Sequence, residues 1–175
     1  MKRTTTTILL IIMWMGITAT KSVAQPPIKH KAYTYATLGE TTGLDTGTND
    51  LKYEYTVGVH TYKRLSPANN VYLVTGDKFK IEYDSLSPVD AKIIFEEPVF
   101  APTEKLDDAE GTLKQVHPRY CMYVYYHHNV EYRKIQYYYQ GTVEKYNLKK
   151  GDKFDVNFVI GYPARAIIFL DRPVK

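Results

Sequence analysis

The chain has 175 residues, of which 44% are hydrophobic and 24% charged, with a formal net charge of +4 and one cysteine. A single cysteine excludes an intramolecular disulfide, so stability has to come from the core. Setting aside residues 1–24, which carry Lys2, Arg3 and Lys21 and no acid, reduces the charge to +1, and that balance gives no ground for a nucleic-acid or anionic-membrane partner.

Residues 1–24 read as a cleaved secretory signal. Lys2 and Arg3 are followed by the apolar run Ile8 to Ile17, and Ser22-Val23-Ala24 places small residues before Gln25. The run is too short to span a bilayer core, which takes about 20 residues, so no membrane span is expected after cleavage. The protein is expected to be exported, to the periplasm or to the cell surface and beyond.

The first repeat, residues 25–100, is read from its alternation. Tyr53, Tyr55, Val57 and Val59 share one face of a hairpin that bends near Gly58, and Tyr62 lies on the return strand. Gly76-Asp77 then supplies turn chemistry: a residue tolerant of positive φ and one that bonds its own backbone. Phe79, Ile81 and Tyr83 alternate with Lys78, Lys80 and Glu82, as in an antiparallel strand with one wet face. Pro88 marks the next turn, and Pro98 stops the strand that follows.

Residues 101–118 are expected to form a linker. Thr103 to Gln115 is polar, acidic at its centre and without strand alternation, and a short helical turn would fit it. The second repeat, residues 119–175, restates the first. Gly151 to Val174 matches Gly76 to Val99 at nine of twenty-four positions with an offset of 75 and no gap. Tyr123, Tyr125, Tyr132, Arg133 and Lys134 match Tyr53, Tyr55, Tyr62, Lys63 and Arg64 at an offset of 70. Five extra residues therefore fall between Ile135 and Lys150. Asn129 suits a left-handed turn between the two tyrosine strands. Ile167 replaces Lys92, so this strand is expected to be covered on both faces, most simply by the other repeat. Cys121 reads as a small buried hydrophobe. A copy of about 60 residues is marginal alone, which favours copies that pack together. The expected fold is all-β: two tandem copies of a small antiparallel sandwich or barrel unit.

Tyr-x-Tyr, a bend, Tyr followed by two basic residues, then Gly-Asp-Lys-Phe, a proline turn and a terminal Pro-Val resemble a group of short, uncharacterised exported domains of Gram-negative bacteria. Those domains often carry asparagine before the turn proline, where this chain has Ser87-Pro88 and Tyr162-Pro163. The resemblance implies a small β fold and no activity.

No residues assemble a catalytic signature. His127-His128 are neighbours on a strand and point to opposite faces, so they do not chelate one ion. His30, His60 and His117 are scattered, Glu96-Glu97 and Asp107-Asp108 are adjacent pairs, and nucleophile or phosphate-binding motifs are lacking. No cofactor or metal is expected. The candidate binding surface is Tyr137, Tyr138 and Tyr139, inside the longer connection of the second copy, because clustered tyrosines serve recognition of proteins and sugars. The function expected is a non-catalytic binding or structural module for an unidentified protein or envelope glycan. The alternative is a hydrolase, or an inhibitor of one, with a site in the cleft between the repeats.

Overall fold

A computed structural model of the protein describes residues 27–42, 50–67 and 73–174. The expected signal segment lies outside the described residues. The first repeat contributes β1 (Lys31–Thr42), β2 (Asp50–Val57), β3 (His60–Pro67), β4 (Lys78–Asp84) and β5 (Ser87–Val99). The second contributes β6 (Leu106–His117), β7 (Tyr120–His127), β8 (Val130–Tyr137), α1 (Thr142–Tyr146), β9 (Lys153–Val159) and β10 (Tyr162–Pro173). Each repeat is one five-stranded antiparallel sheet, ordered β3-β2-β1-β4-β5 and β8-β7-β6-β9-β10. Register makes the equivalence strict. Phe79 stands opposite Ala36 and Pro98, and Phe154 stands opposite Gly111 and Pro173.

The turn chemistry works as its residue types require. Gly76 and Gly151 have φ of 89° and 97°, and the next residue in each case caps the turn. Asp77 Oδ2 accepts from the Val74 amide at 3.1 Å, and Asp152 Oδ2 from the Lys149 amide at 2.8 Å. His128 and Asn129 both have positive φ, as a two-residue hairpin turn matched to strand twist demands.

The stretch 101–118, expected as a linker, holds β6, the central strand of the second sheet. Only residues 100–105 connect the repeats. The strand tolerates Asp107, Asp108 and Glu110 because its first half pairs with β9 alone; pairing with β7 begins at Gly111. One open edge there leaves room for solvated carboxylates. A second departure is α1, five residues in the longer β8–β9 connection and too short to imprint a periodic stripe.

Each repeat has its own core. Leu51, Tyr53, Tyr55, Phe79, Ile81 and Ile93 fill the first, and Cys121, Tyr123, Tyr125, Phe154, Val156 and Ile168 are their counterparts in the second, joined there by Leu113. The shared tyrosines are core residues whose hydroxyls reach backbone: Tyr55 donates to Pro88 O and Tyr125 to Pro163 O. Cys121 is fully buried, and burial pushes its thiol up to about 12. Gly111 occupies the place of Ala36, but a Cβ there would lie 2.4 Å from Val156 Cγ2. Valine is stiff at χ1, so Gly111→Ala should cost about 1–3 kcal/mol in chemical denaturation. Adding Val156→Ala should return part of that loss; no recovery would mean the clash is not the cause.

In the second repeat side chains, rather than a backbone ladder, stitch the open edge of β10 to β7 and β8. Tyr123 Oη donates to Ala166 O at 3.1 Å, Lys134 Nζ to Ala164 O at 3.2 Å, and Gln136 Nε2 to Ile168 O at 2.9 Å. Gln136 Oε1 also accepts from the Ile168 amide at 3.0 Å. The Gln136 amide thus imitates a peptide group and closes the sheet into a barrel. Gln136→Ala leaves both backbone groups of buried Ile168 without these partners, which should cost about 1–3 kcal/mol. Hydrogen exchange of the Ile168 amide should accelerate selectively, and unchanged protection there would remove the bridge from the account.

Candidate interaction surface

The tyrosine triplet is divided by the fold. Tyr137 ends β8 with its ring 5.8 Å from Tyr120. Tyr138 is 4% exposed, and its hydroxyl lies 2.5 Å from His117 O and 2.8 Å from Tyr120 O, so it locks the β6–β7 turn. Tyr139 is 52% exposed, but its hydroxyl donates to Glu97 of the first repeat, which pushes its pKa up to about 12. The three rings do not form one face. His127 and His128 do not point to opposite faces as expected: His128 lies in the hairpin turn with positive φ, which brings the two ring centroids to 4.0 Å, and His127 also packs against Phe158. Among the described residues, no group of three or more His, Cys, Asp or Glu could hold a metal ion.

Tyr139 leads to the contact between the repeats, where the most buried ion pairs among the described residues lie. Lys134 Nζ and Asp77 Oδ1 are 2.6 Å apart, with side chains 9% and 7% exposed. Burial pulls the Lys134 ammonium below its ordinary value, outweighing the attraction of Asp77. Glu104, in the connection, is shared by Arg165 and by Lys78 at 3.3 Å. Burial pushes this carboxyl up, but Arg165, the Ala101 amide and Lys78 together hold it below the usual range. Arg119 meets Glu96 at 3.3 Å on the rim. Ile167 borders the same contact with Phe79, Pro98 and Val99, so the first repeat is its cover. The remaining space is a cavity of about 20 Å³.

The repeats meet through unlike surfaces: the first presents its Gly-Asp turn and the end of β5, the second its β8. Among the described residues, the equivalent of that β8 face in the first repeat is uncovered. There an open groove of about 800 Å³ runs past Lys52, Glu54, Lys63, Arg64 and Leu65. Leu65 is 57% exposed, whereas its counterpart Ile135 is half-buried beside the first repeat. Arg64 corresponds to Lys134. Burial raises the Tyr55 pKa and a hydrogen bond from Arg64 opposes that rise, while the Nε of Arg64 is buried without a hydrogen-bond partner among the described residues. Sequence reasoning passed over this face. The signal was the apolar residue that follows the paired cations in both copies, Leu65 and Ile135.

The first strand is central, the second and fourth flank it, the third and fifth form the edges, and in the second repeat a helix joins the third to the fourth. The OB-type Greek-key barrel is also a five-stranded, partly open barrel, and the likeness here is one of strand arrangement alone; the chain holds two such five-stranded antiparallel sheets in tandem. No protein-family model, no curated protein and no solved structure matches it. Among the described residues, no helix is long and apolar enough to cross a membrane.

Proposed function

We propose that the protein is an exported, non-catalytic binding or structural module that recognises a protein or an envelope glycan through the β2–β3 face of its first barrel. The observation that carries this function is the asymmetry of the two repeats: the edge strand is occupied in the second and uncovered among the described residues in the first, where exposed Leu65 on one side of β3 and Arg64 on the other border the same groove. Ligands of OB-type barrels often sit on the strand 2–3 face, which is an analogy of fold and sets only the place to look. The chemistry of the face calls for a partner with a carboxylate to meet Arg64 and an apolar group to cover Leu65. Glu54 among the cations and the near-neutral charge after residue 24 argue against a polyanion such as nucleic acid. Export rests on the basic and apolar pattern of residues 1–24. A hydrolytic site between the repeats would need room for substrate, and a cavity of about 20 Å³ holds roughly one water.

The test is retention of envelope-derived material by the immobilised protein. Leu65→Asp should keep the melting temperature and circular dichroism of the parent and lose the retained material. Equal retention by both proteins would remove the face from the proposal.

A further inference from the structure

We infer that the occupant of the free β2–β3 face is the second barrel of another copy of this chain, so that copies join head to tail. This rests on the function proposed above and names the partner of the same face. Within the chain the contact is heterologous, since the first repeat gives its Asp77 turn and the second its Lys134 strand. Duplication provides each barrel with both kinds of surface, and one internal contact consumes one of each. One of each is left over, the β2–β3 edge on the first repeat and the Asp152 turn on the second.

Register identifies them. Arg64 stands opposite Tyr53 as Lys134 stands opposite Tyr123, and Leu65 follows as Ile135 does. At the other end Asp152 makes the same turn bond as Asp77, from Oδ2 to the amide three residues before. Asp77 gives its second oxygen to Lys134; the second oxygen of Asp152 has no partner among the described residues. A groove of about 700 Å³ borders Asp152, Phe154 and Pro173, the counterparts of Asp77, Phe79 and Pro98 that border the internal contact. Pro173 is exposed where Pro98 is half-buried. Each end thus carries an ionisable group at the place its repeat partner uses in a buried ion pair; Arg64 contacts the Tyr55 hydroxyl and Asp152 caps its turn, but neither forms an ion pair among the described residues, and the two groups have opposite sign.

Two substitutions set the strength. Asp90 and Lys92 occupy the places of Arg165 and Ile167, so the contact between copies is more polar than the one within the chain. Covalent linkage also gives the internal contact an effective concentration that free copies lack. Association should therefore be concentration-dependent. Because the surfaces are unlike, it should continue into short filaments or close into a ring rather than stop at a symmetric dimer.

Sedimentation velocity on the purified protein over a wide concentration range tests this. The expected result is a mass that rises past the dimer. Arg64→Glu, or Leu65→Asp should the first disturb the barrel, should hold the protein monomeric at concentrations at least ten-fold higher. Asp152→Asn should do the same while retaining the oxygen that caps its turn. Mixing the Arg64→Glu and Asp152→Asn proteins should give 1:1 heterodimers, since each contributes one intact end. A chain that stays monomeric throughout, or a dimer indifferent to both substitutions, would overturn the inference. If the chain is monomeric and Leu65→Asp still abolishes envelope retention, the occupant is a different molecule and only the present inference fails.

Discussion

Asp77→Ala is expected to lower the unfolding free energy by about 3–5 kcal/mol, because it leaves the Lys134 ammonium buried without its counter-charge. The same substitution at Asp152 should cost only about 1 kcal/mol, the worth of one turn hydrogen bond. The two aspartates cap equivalent turns with equivalent bonds, so the difference between the two losses isolates the ion pair. Urea denaturation of the two single variants measures it, and equal losses would show that the Lys134–Asp77 contact adds nothing. Lys134→Met in the Asp77→Ala background should recover much of the deficit, since an apolar side chain of similar length fills the space without an uncompensated charge. The pH dependence has a defined sign. The folded-state pKa of Lys134 already lies below its ordinary value of 10.5 through burial, and loss of Asp77 lowers it further. The unfolded chain then holds the proton over a wider range than the folded one, so stability of the variant gains relative to the parent as pH rises toward 10.5. The Asp77→Ala deficit should be largest near neutrality and shrink in alkali; a deficit that grew with pH would contradict it.

The duplication was legible because strand and turn positions repeat residue types that physics ties to backbone shape. Phe79 and Phe154 occupy the same ladder position, and Gly76 and Gly151 carry the same positive φ. The expectation that the second copy is covered at Ile167 by the first also agrees with the contact between the repeats. The first strand of each unit was not legible. Ala36-Thr37-Leu38 and Gly111-Thr112-Leu113 keep the offset of 75, but three residues do not rise above chance, and the acids at the exposed start of β6 mimic a linker. The proposed β2–β3 face was not legible for a different reason. Adjacent tyrosines attract attention as a group, whereas a strand sends its residues alternately to opposite sides. Arg64 and Leu65 are conspicuous only when set against the covered positions of the other copy.

Tyr138→Ser should destabilise the protein by about 3–5 kcal/mol, the range for truncating a buried aromatic side chain. The ring belongs to the second core, its hydroxyl spans His117 O and Tyr120 O, and its own amide donates to Arg119 O at 3.0 Å. One residue thus joins the end of β8 to the β6–β7 turn. Tyr138→Phe separates packing from hydrogen bonding and should cost about 1–2 kcal/mol, with most of the remainder due to the ring. Tyr139→Ser, one position on, removes a half-exposed ring and a rim contact to Glu97, and should stay within about 1 kcal/mol. Thermal unfolding of the three variants decides between a structural and a recognition role for the triplet. A recognition surface would make Tyr138 and Tyr139 similarly tolerant; a core plug makes them differ by several kcal/mol although they are neighbours. Simultaneous substitution of all three is therefore expected to unfold the second barrel, and any loss of binding in such a variant would report on folding rather than on contact.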